Sequence, residues 1–389
     1  PKTFAGVNRA TGIAKIPIEV PAGTKPGEYP VVLRATSAGT PSKGDLSVKL
    51  TIVGAPGELD ETFGTDGRVL EPVDNFYVND ATVVSNQVVL GGKDDTGPLL
   101  RRFNMDGARD TTFGDQGTFR VAGPVLGDAF YQVASAPDGL RAIFGSYSET
   151  TFYRVDAAGA LSVVQKLLRA DLTESTSVSI SASNRMVVTG SRNNTHWTLA
   201  ALDATTGAPA SWGTSGFVHE AAGSSARAFA FFEDTGNDHA FVQSNTPSDL
   251  FDVTLDKAGG VLAKNTIPGL DSTPRSVLRL GANDYLMLKR DYSLLRWKTG
   301  MATPFGETIP GVNPGAPTTP KPFVRRRSGG FLVLAPGSEE IPAQLTGPLF
   351  LKLCMLTEEG KVVTSFGIAG CQKVALDPQS TQPGHRGVA

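Results

Sequence analysis

Leu59-Asp60-Glu61-Thr62-Phe63-Gly64-Thr65-Asp66-Gly67-Arg68-Val69 decides the fold, because the chain repeats it. A second copy runs Ala108-Arg109-Asp110-Thr111-Thr112-Phe113-Gly114-Asp115-Gln116-Gly117-Thr118-Phe119. A third is Ala208-Pro209-Ala210-Ser211-Trp212-Gly213-Thr214-Ser215-Gly216-Phe217-Val218, and a fourth is Val362-Val363-Thr364-Ser365-Phe366-Gly367-Ile368-Ala369-Gly370. The shared core is Thr or Ser, an aromatic, Gly, two variable residues, Gly, and an apolar strand start. A weaker copy sits at Pro304-Phe305-Gly306. Phe63 and Phe113 stand about 50 residues apart and Phe113 and Trp212 about twice that, the period of a four-stranded blade. At the skipped positions, Asp156-Ala157-Ala158-Gly159 and Asp256-Lys257-Ala258-Gly259 keep the Asp-containing turn and lose the aromatic-Gly pair.

Between copies the order of elements also repeats. In the first unit, strands are expected at Asp80 to Val84, Gln87 to Gly92 and Leu99 to Asn104. In the third they are expected at Val178 to Ala182, Met186 to Gly190 and His196 to Leu202. Val, Ile, Phe and Leu fill these runs, and Gly, Asn and Asp punctuate them. Helical periodicity is nearly absent. Val163, Val164, Leu167 and Leu168 fit one helical face, but a short isolated match reads better as a strand. The count is six three-strand sets and seven aromatic-Gly strands. Units of this size repeated six times suit radial closure into a propeller, since no polar terminal caps of a linear stack are visible. The expectation is an all-β, six-bladed β-propeller of four-stranded blades, with seven blades as the alternative. The surplus N-terminal copy, near Arg68-Val69-Leu70, would close the ring in the last blade or add an outer strand there.

These units resemble the delta-60 repeat, a bacterial propeller-like repeat with the pattern Leu-Asp-x-Thr-Phe-Gly-x-x-Gly and a Pro-Asp-Gly turn before an apolar strand ending in Gly. Leu59 through Gly67 carry the first match, and Ala136-Pro137-Asp138-Gly139 carry the turn. Leu90-Gly91, Phe144-Gly145 and Thr189-Gly190 carry the strand ends. The resemblance covers residues 57–376. It implies a place on large bacterial surface or secreted proteins and no general catalytic activity. Physically, an aromatic followed by Gly wedges between neighbouring sheets while the Gly lets the backbone turn. Phe63, Gly64, Phe113, Gly114, Trp212, Gly213, Phe305, Gly306, Phe366 and Gly367 are therefore read as structural residues of the repeat.

Residues 1–54 read as part of an immunoglobulin-like or fibronectin type III-like β-sandwich, with strands at Ala14 to Val20, Glu28 to Ser37 and Leu46 to Val53. Pro26-Gly27-Glu28-Tyr29 carries that likeness. A full module needs about 100 residues, so strands are expected from elsewhere, either a preceding region or a partner. The propeller is assigned residues 55–376 and a flexible tail residues 377–389.

Composition limits the function. Apolar residues make up 40% of the 389, enough for a sizeable core. The formal net charge of −2, with both signs mixed, argues against nucleic acid or an anionic membrane as the main partner. No apolar run reaches the ~20 residues of a spanning helix. Pro1-Lys2-Thr3-Phe4 opens inside a strand-like pattern, so the chain reads as the mature or trimmed part of a longer precursor.

Candidate chemistry is sparse. Cys354 falls in the third strand of the last unit and Cys371 in the strand after Phe366, neighbours in one blade. A disulfide is expected there, with an oxidising location. His196, His219, His239 and His385 show no paired metal spacing. Gly145-Ser146-Tyr147-Ser148-Glu149 lacks the Gly-x-Ser-x-Gly elbow. Asp106, Asp110 and Asp115, like Asp60 and Asp66, crowd turns. They offer at most weak calcium binding, and Asp in turns normally caps backbone N–H groups. Arg325-Arg326-Arg327 is the only basic run, and it reads as a guarded strand edge or a contact for a carboxylate or phosphate. No catalytic residue, cofactor or metal ligand is assigned. The reading is a non-enzymatic, extracytoplasmic binding or scaffolding module for a protein or glycan. One alternative is a structural subunit assembling through its N-terminal β segment. Another is a propeller lyase or hydrolase with a site in the central channel.

Overall fold

The computed structural model describes residues 27–37, 40–52, 69, 76–120, 130–136, 138–145, 149–156, 158–168, 172–181, 183–223, 225–244, 250–270, 273–298, 300–307, 309, 323–326, 329–337 and 350–375. Their regular structure is all strand. Six four-stranded antiparallel sheets follow one another along the chain, each with its strands in sequence order, and form a six-bladed β-propeller. Blade 1 comprises Tyr77–Val84, Gln87–Asp94, Gly97–Asn104 and Thr118–Arg120. Blade 2 comprises Phe130–Ala136, Gly139–Gly145, Glu149–Val155 and Leu161–Leu168. Blade 3 comprises Glu174–Ile180, Arg185–Arg192, His196–Asp203 and Phe217–Ala221. Blade 4 comprises Arg227–Phe232, Asp238–Gln243, Leu250–Leu255 and Val261–Thr266. Blade 5 comprises Ser276–Gly281, Asp284–Leu288, Leu294–Lys298 and Met301–Phe305. Blade 6 comprises Phe323–Arg325, Phe331–Gly337, Phe350–Leu356 and Cys371–Ala375.

The strands expected in the first unit, and the second and third of the third unit, lie where the sequence places them; the first strand of the third unit runs Glu174–Ile180 and so starts earlier and ends before Ser181, with Ala182 outside the described residues. Val163, Val164, Leu167 and Leu168 belong to the fourth strand of blade 2, not a helix. In the second and third strands of blade 3 only the end residues escape full burial. A blade is covered on both faces, so its middle strands read as continuous apolar runs rather than alternating ones. Met186, Val188, Ala200 and Leu202 face blade 2, where they meet Ile143 and Phe152. Val187, Trp197 and Leu199 face blade 4, where they meet Ala228, Phe231 and Val242. Ser85 (φ 50°) and Asn86 (φ 59°) form the two-residue turn of blade 1, in the left-handed pair that matches strand twist.

First strands adjoin first strands between blades 1 and 2, 2 and 3, 3 and 4, and 5 and 6, which places them around the axis. Asp80 Oδ2 accepts the Val133 N–H at 2.9 Å across blades 1 and 2. The Thr176 hydroxyl donates to the Ala228 carbonyl across blades 3 and 4.

Blade 6 closes with its own fourth strand, Cys371–Ala375. The fourth-strand place in blade 6 is thus taken by the C-terminal repeat copy, and the pairing of the N-terminal copy lies outside the described residues. Phe63, Gly64, Arg68 and Leu70 lie outside the described residues, as do Ala14 to Val20 and 377–389. Of the N-terminal segment, Gly27–Ser37 and Thr40–Ile52 pair as an antiparallel hairpin.

Candidate functional site

Each sheet brings its third-to-fourth connection to the end that also carries its first-to-second turn. The aromatic-Gly motifs lie in these third-to-fourth connections in blades 1, 3 and 6, and in blades 1 and 3 they join neighbouring blades. Gly114 (φ +55°) donates its N–H to the Ala158 carbonyl of blade 2 at 3.2 Å. Gly213 (φ +54°) donates to the Ala258 carbonyl of blade 4 at 2.6 Å. The receiving turns are Asp156–Gly159 and Asp256–Gly259, the two sites that keep the Asp turn without the aromatic. Asp156 Oδ1 and Asp256 Oδ1 each accept two backbone N–H groups of their own turn. Phe113 is 1% exposed and Trp212 2%, so both aromatics are core. Phe305-Gly306 differs, lying at the end of the fourth strand of blade 5, yet Glu307 N–H still bonds the Gly360 carbonyl of blade 6 at 3.0 Å. Phe366 is also buried.

Cations gather at the same junctions. Arg102 lies over the Phe113 ring at 4.4 Å and bonds Asp110 at 2.9 Å. Asp110 also accepts from Gln87 and from Thr112. The Thr112 hydroxyl bond, opposed by burial and aided by Arg102, holds its carboxyl below the ordinary range. Arg185 lies over Trp212 and bonds Asp238 at 2.6 Å and Glu233 at 3.0 Å, both in blade 4. Asp238 is fully buried and also takes Lys257 at 2.5 Å. Arg141, itself buried, reaches Asp138 and the Ala204 carbonyl of blade 3.

Asp252 is the centre of a link invisible in the repeat. Its Oδ1 meets His239 Nδ1 at 2.9 Å, and its Oδ2 accepts the Trp297 indole N–H of blade 5 at 2.9 Å. Tyr285 packs on His239, and burial, with Asp252 next, pushes its phenol up. His239 and Asp252 lie 13 positions apart and Asp252 and Trp297 lie 45 apart, so no motif spacing signals the group.

The remaining candidates are dispersed. His196 and His219 stack edge to face at 5.9 Å, and Arg192 donates to His219 Nε2 at 3.1 Å. His385 lies outside the described residues, as do Asp60, Asp66 and positions 146–148 of the Gly145 stretch. Asp106 caps the Ala108 N–H. Among the described residues no three His, Cys, Asp or Glu side chains converge as a metal site. Arg325 pairs with Glu358 at 3.1 Å, Arg326 reaches the Met355 sulfur, and Arg327 is outside the described residues. On the first strands, Arg227 bonds Gln243 and Thr273, and Arg279 bonds Asp234 and the Glu233 carbonyl.

Two clefts open between these groups. One, of ≈ 250 Å³, lies between blades 1 and 2 and is lined by Val84, Gln87, Arg102, Phe113, Asp138 and Asp156. Its carboxylates are engaged, Asp138 by Arg141 and Arg154 and Asp156 by its own turn. The other, of ≈ 440 Å³, runs along blade 5 beside Pro268, Leu295, Pro304 and Phe305, with Lys289 and Glu307 at its margin.

Cys354 and Cys371 face each other in the third and fourth strands of blade 6, Cα atoms 4.1 Å apart, and form a disulfide. Both are buried.

No family model matches the chain, and no curated protein matches it. Among solved structures, it is similar to a DUF4623 family protein from Bacteroides eggerthii at 12% identity and TM-score 0.38, over 90% of this chain and 70% of that one. It is similar to a protein from Lactobacillus plantarum at 14% identity and TM-score 0.49, over 90% and 96%. It is also similar to BamB from Moraxella catarrhalis at 17% identity and TM-score 0.34, over 64% and 77%. At these values the fold rests on the chain's own strand pairing.

Proposed function

We propose that the chain is a non-enzymatic, extracytoplasmic binding or scaffolding module that presents its blade connections to a protein or glycan. The observation that carries this reading is the commitment of charged side chains. Asp80, Arg227, Arg279 and Arg325, which lie on first strands, are engaged in hydrogen bonds or ion pairs, as are Asp110, Asp138 and Asp238 at the junctions. A catalytic constellation needs acid, base or nucleophile aimed at a shared point. Here such groups serve cohesion. The disulfide supports an oxidising compartment.

The test is titration of the purified full chain, by calorimetry, against a panel of defined soluble polysaccharides and peptidoglycan fragments, with product analysis of every mixture. Saturable binding without a product supports the reading. Turnover of a panel member, lost on substituting a first-strand residue, replaces it with the lyase or hydrolase reading. Two free thiols in protein isolated from its native compartment under alkylation remove the extracytoplasmic part.

A second reading, assembly through the N-terminal β segment, has its own observation. In the hairpin Tyr29 pairs Leu50 and Val31 pairs Val48, all half-buried, while Pro30, Val32, Ser47 and Lys49 are exposed. An isolated two-stranded hairpin is marginal in water, so its apolar side needs cover. A chain that sediments as a monomer at all concentrations would leave assembly unsupported.

A further inference from the structure

Four buried polar side chains share one blade junction and none has a partner. They are Gln132 (8% exposed), Thr150 (0%), Ser175 (5%) and Thr198 (0%). Gln132 Oε1, Thr150 Oγ1, Ser175 Oγ and Thr198 Oγ1 make no hydrogen bond. Strand register places all four between blades 2 and 3. Ile143 and Phe152 of blade 2 pack on Met186, Val188, Ala200 and Leu202 of blade 3. Gln132 pairs with Ile143, so it shares that face. Thr150 stands two residues before Phe152 and pairs with Gly145, so it shares it as well. Across the junction, Thr198 stands two residues before Ala200 and pairs with Gly190. Ser175 also pairs with Gly190. The bulge that follows turns Thr176 to blade 4, where it bonds the Ala228 carbonyl, and leaves Ser175 on the blade 2 side.

Two glycines complete the arrangement. Gly190 holds the position between Ser175 and Thr198, Gly145 stands beside Thr150, and neither glycine projects a side chain into the junction. The apolar cluster lies on one side of the group, with fully buried Leu172, from the chain between the two blades, packed into it. The charged side chains on this face of blade 2, Arg141 and Arg154, pair with Asp138 at the other end of the sheet. The group is thus neutral, rich in hydroxyls and carries no carboxylate. A buried hydroxyl without a partner is costly. Polar interior sites with several donors and acceptors hold ordered water, typically through about three hydrogen bonds each.

We infer that the seam between blades 2 and 3 is a built site for ordered, uncharged hydrogen-bonding occupants, and that water fills it by bridging Gln132, Thr150, Ser175 and Thr198.

The test pairs a wild-type crystal structure with thermal unfolding of the full chain carrying Thr150→Val, Thr198→Val or both. Valine keeps the shape of threonine, so the fold is retained. Density for water within hydrogen-bond distance of at least three of the four side chains is expected. Each single substitution is expected to lower the midpoint by a few degrees, and the double substitution by less than the sum, since both hydroxyls hold the same water. Equal midpoints in sodium, potassium and choline chloride are expected. A dry seam with midpoints raised by valine overturns the inference. So does a midpoint that follows the identity of the cation, which makes the site one for a monovalent metal ion.

Discussion

Gly159 of blade 2 rests against Gly114 of blade 1 so closely that a Cβ on Gly159 would meet the Gly114 nitrogen at 2.5 Å and the Phe113 ring at 2.7 Å. Gly259 meets Gly213 in the same way, at 2.7 Å. One blade contributes a glycine after its aromatic, the next a glycine closing its Asp turn, and both backbones need positive φ. Sequence conserves the two halves of this contact at different positions of the repeat.

Gly159→Ala and Gly259→Ala should each destabilise the chain by about 2 kcal/mol or more, since strain at φ near +83° to +90° adds to a backbone clash. Gly236→Ala is the control, because nothing lies within 4 Å of its added carbon. Urea unfolding of the three variants checks this. Equal midpoints for all three would mean that the glycine contact holds nothing.

Breaking the disulfide should loosen blade 6 first. Cys354 and Cys371 are 17 positions apart, and a loop of that size is stabilised by about 3 kcal/mol in the chain-entropy view. Cys371→Ser, or reduction of the wild type, should speed amide exchange in Phe350–Leu356 and Cys371–Ala375 before it does in blade 3. Uniform exchange across the ring would argue that the ring unfolds only as a whole.

The parts of this fold that the sequence discloses are those written into one repeat. Asp80 to Val84, Gln87 to Gly92 and Leu99 to Asn104 are legible because apolar runs and turn residues alternate locally, and the observed strands extend them by a few residues. Cys354 and Cys371 are legible because the repeat tells which strands are neighbours. What passes between repeats is not. Whether Arg185 finds Asp238, or Asp252 finds Trp297, depends on the height and rotation of one sheet against the next. A bulge such as that between Ser175 and Ser177 resets both. The polar seam is hidden for the same reason: four unremarkable residues, two of them threonines, become a group only when two registers are superposed.

Asp94 sets an acid limit on blade 1. Burial alone would push its carboxyl up, but bonds from Arg120 and Thr96 outweigh it and bring it down to about 2 from an ordinary 3.8. A depressed carboxyl contributes stability that is complete above the unfolded value and is lost as pH falls through the folded one. The wild type should therefore lose this contribution between about pH 4 and pH 2. Arg120→Gln removes the 2.7 Å ion pair. Because Arg120 is half exposed, the loss should be about 1 kcal/mol at neutral pH, shrinking toward zero near pH 2. Thermal midpoints of both proteins across this range check the sign. A difference that grows on acidification would contradict it.

Asp252 should be a costly carboxylate to remove. It is 4% exposed and satisfies His239 in its own blade and Trp297 in the next. Asp252→Ala leaves the Trp297 N–H and a His239 nitrogen buried without an acceptor, a loss of about 3 kcal/mol or more. Asp252→Asn keeps one acceptor oxygen and should cost less. Trp297→Phe removes the cross-blade donor and, in a double-mutant cycle with Asp252→Ala, should show coupling of about 1–2 kcal/mol. The presence or absence of that coupling separates two roles for the group. If the indole bond holds blade 5 to blade 4, either single change removes it and the second costs less than it does alone. If Asp252 serves only to orient His239, the two losses add, and the buried histidine, packed on Tyr285, becomes the residue to follow.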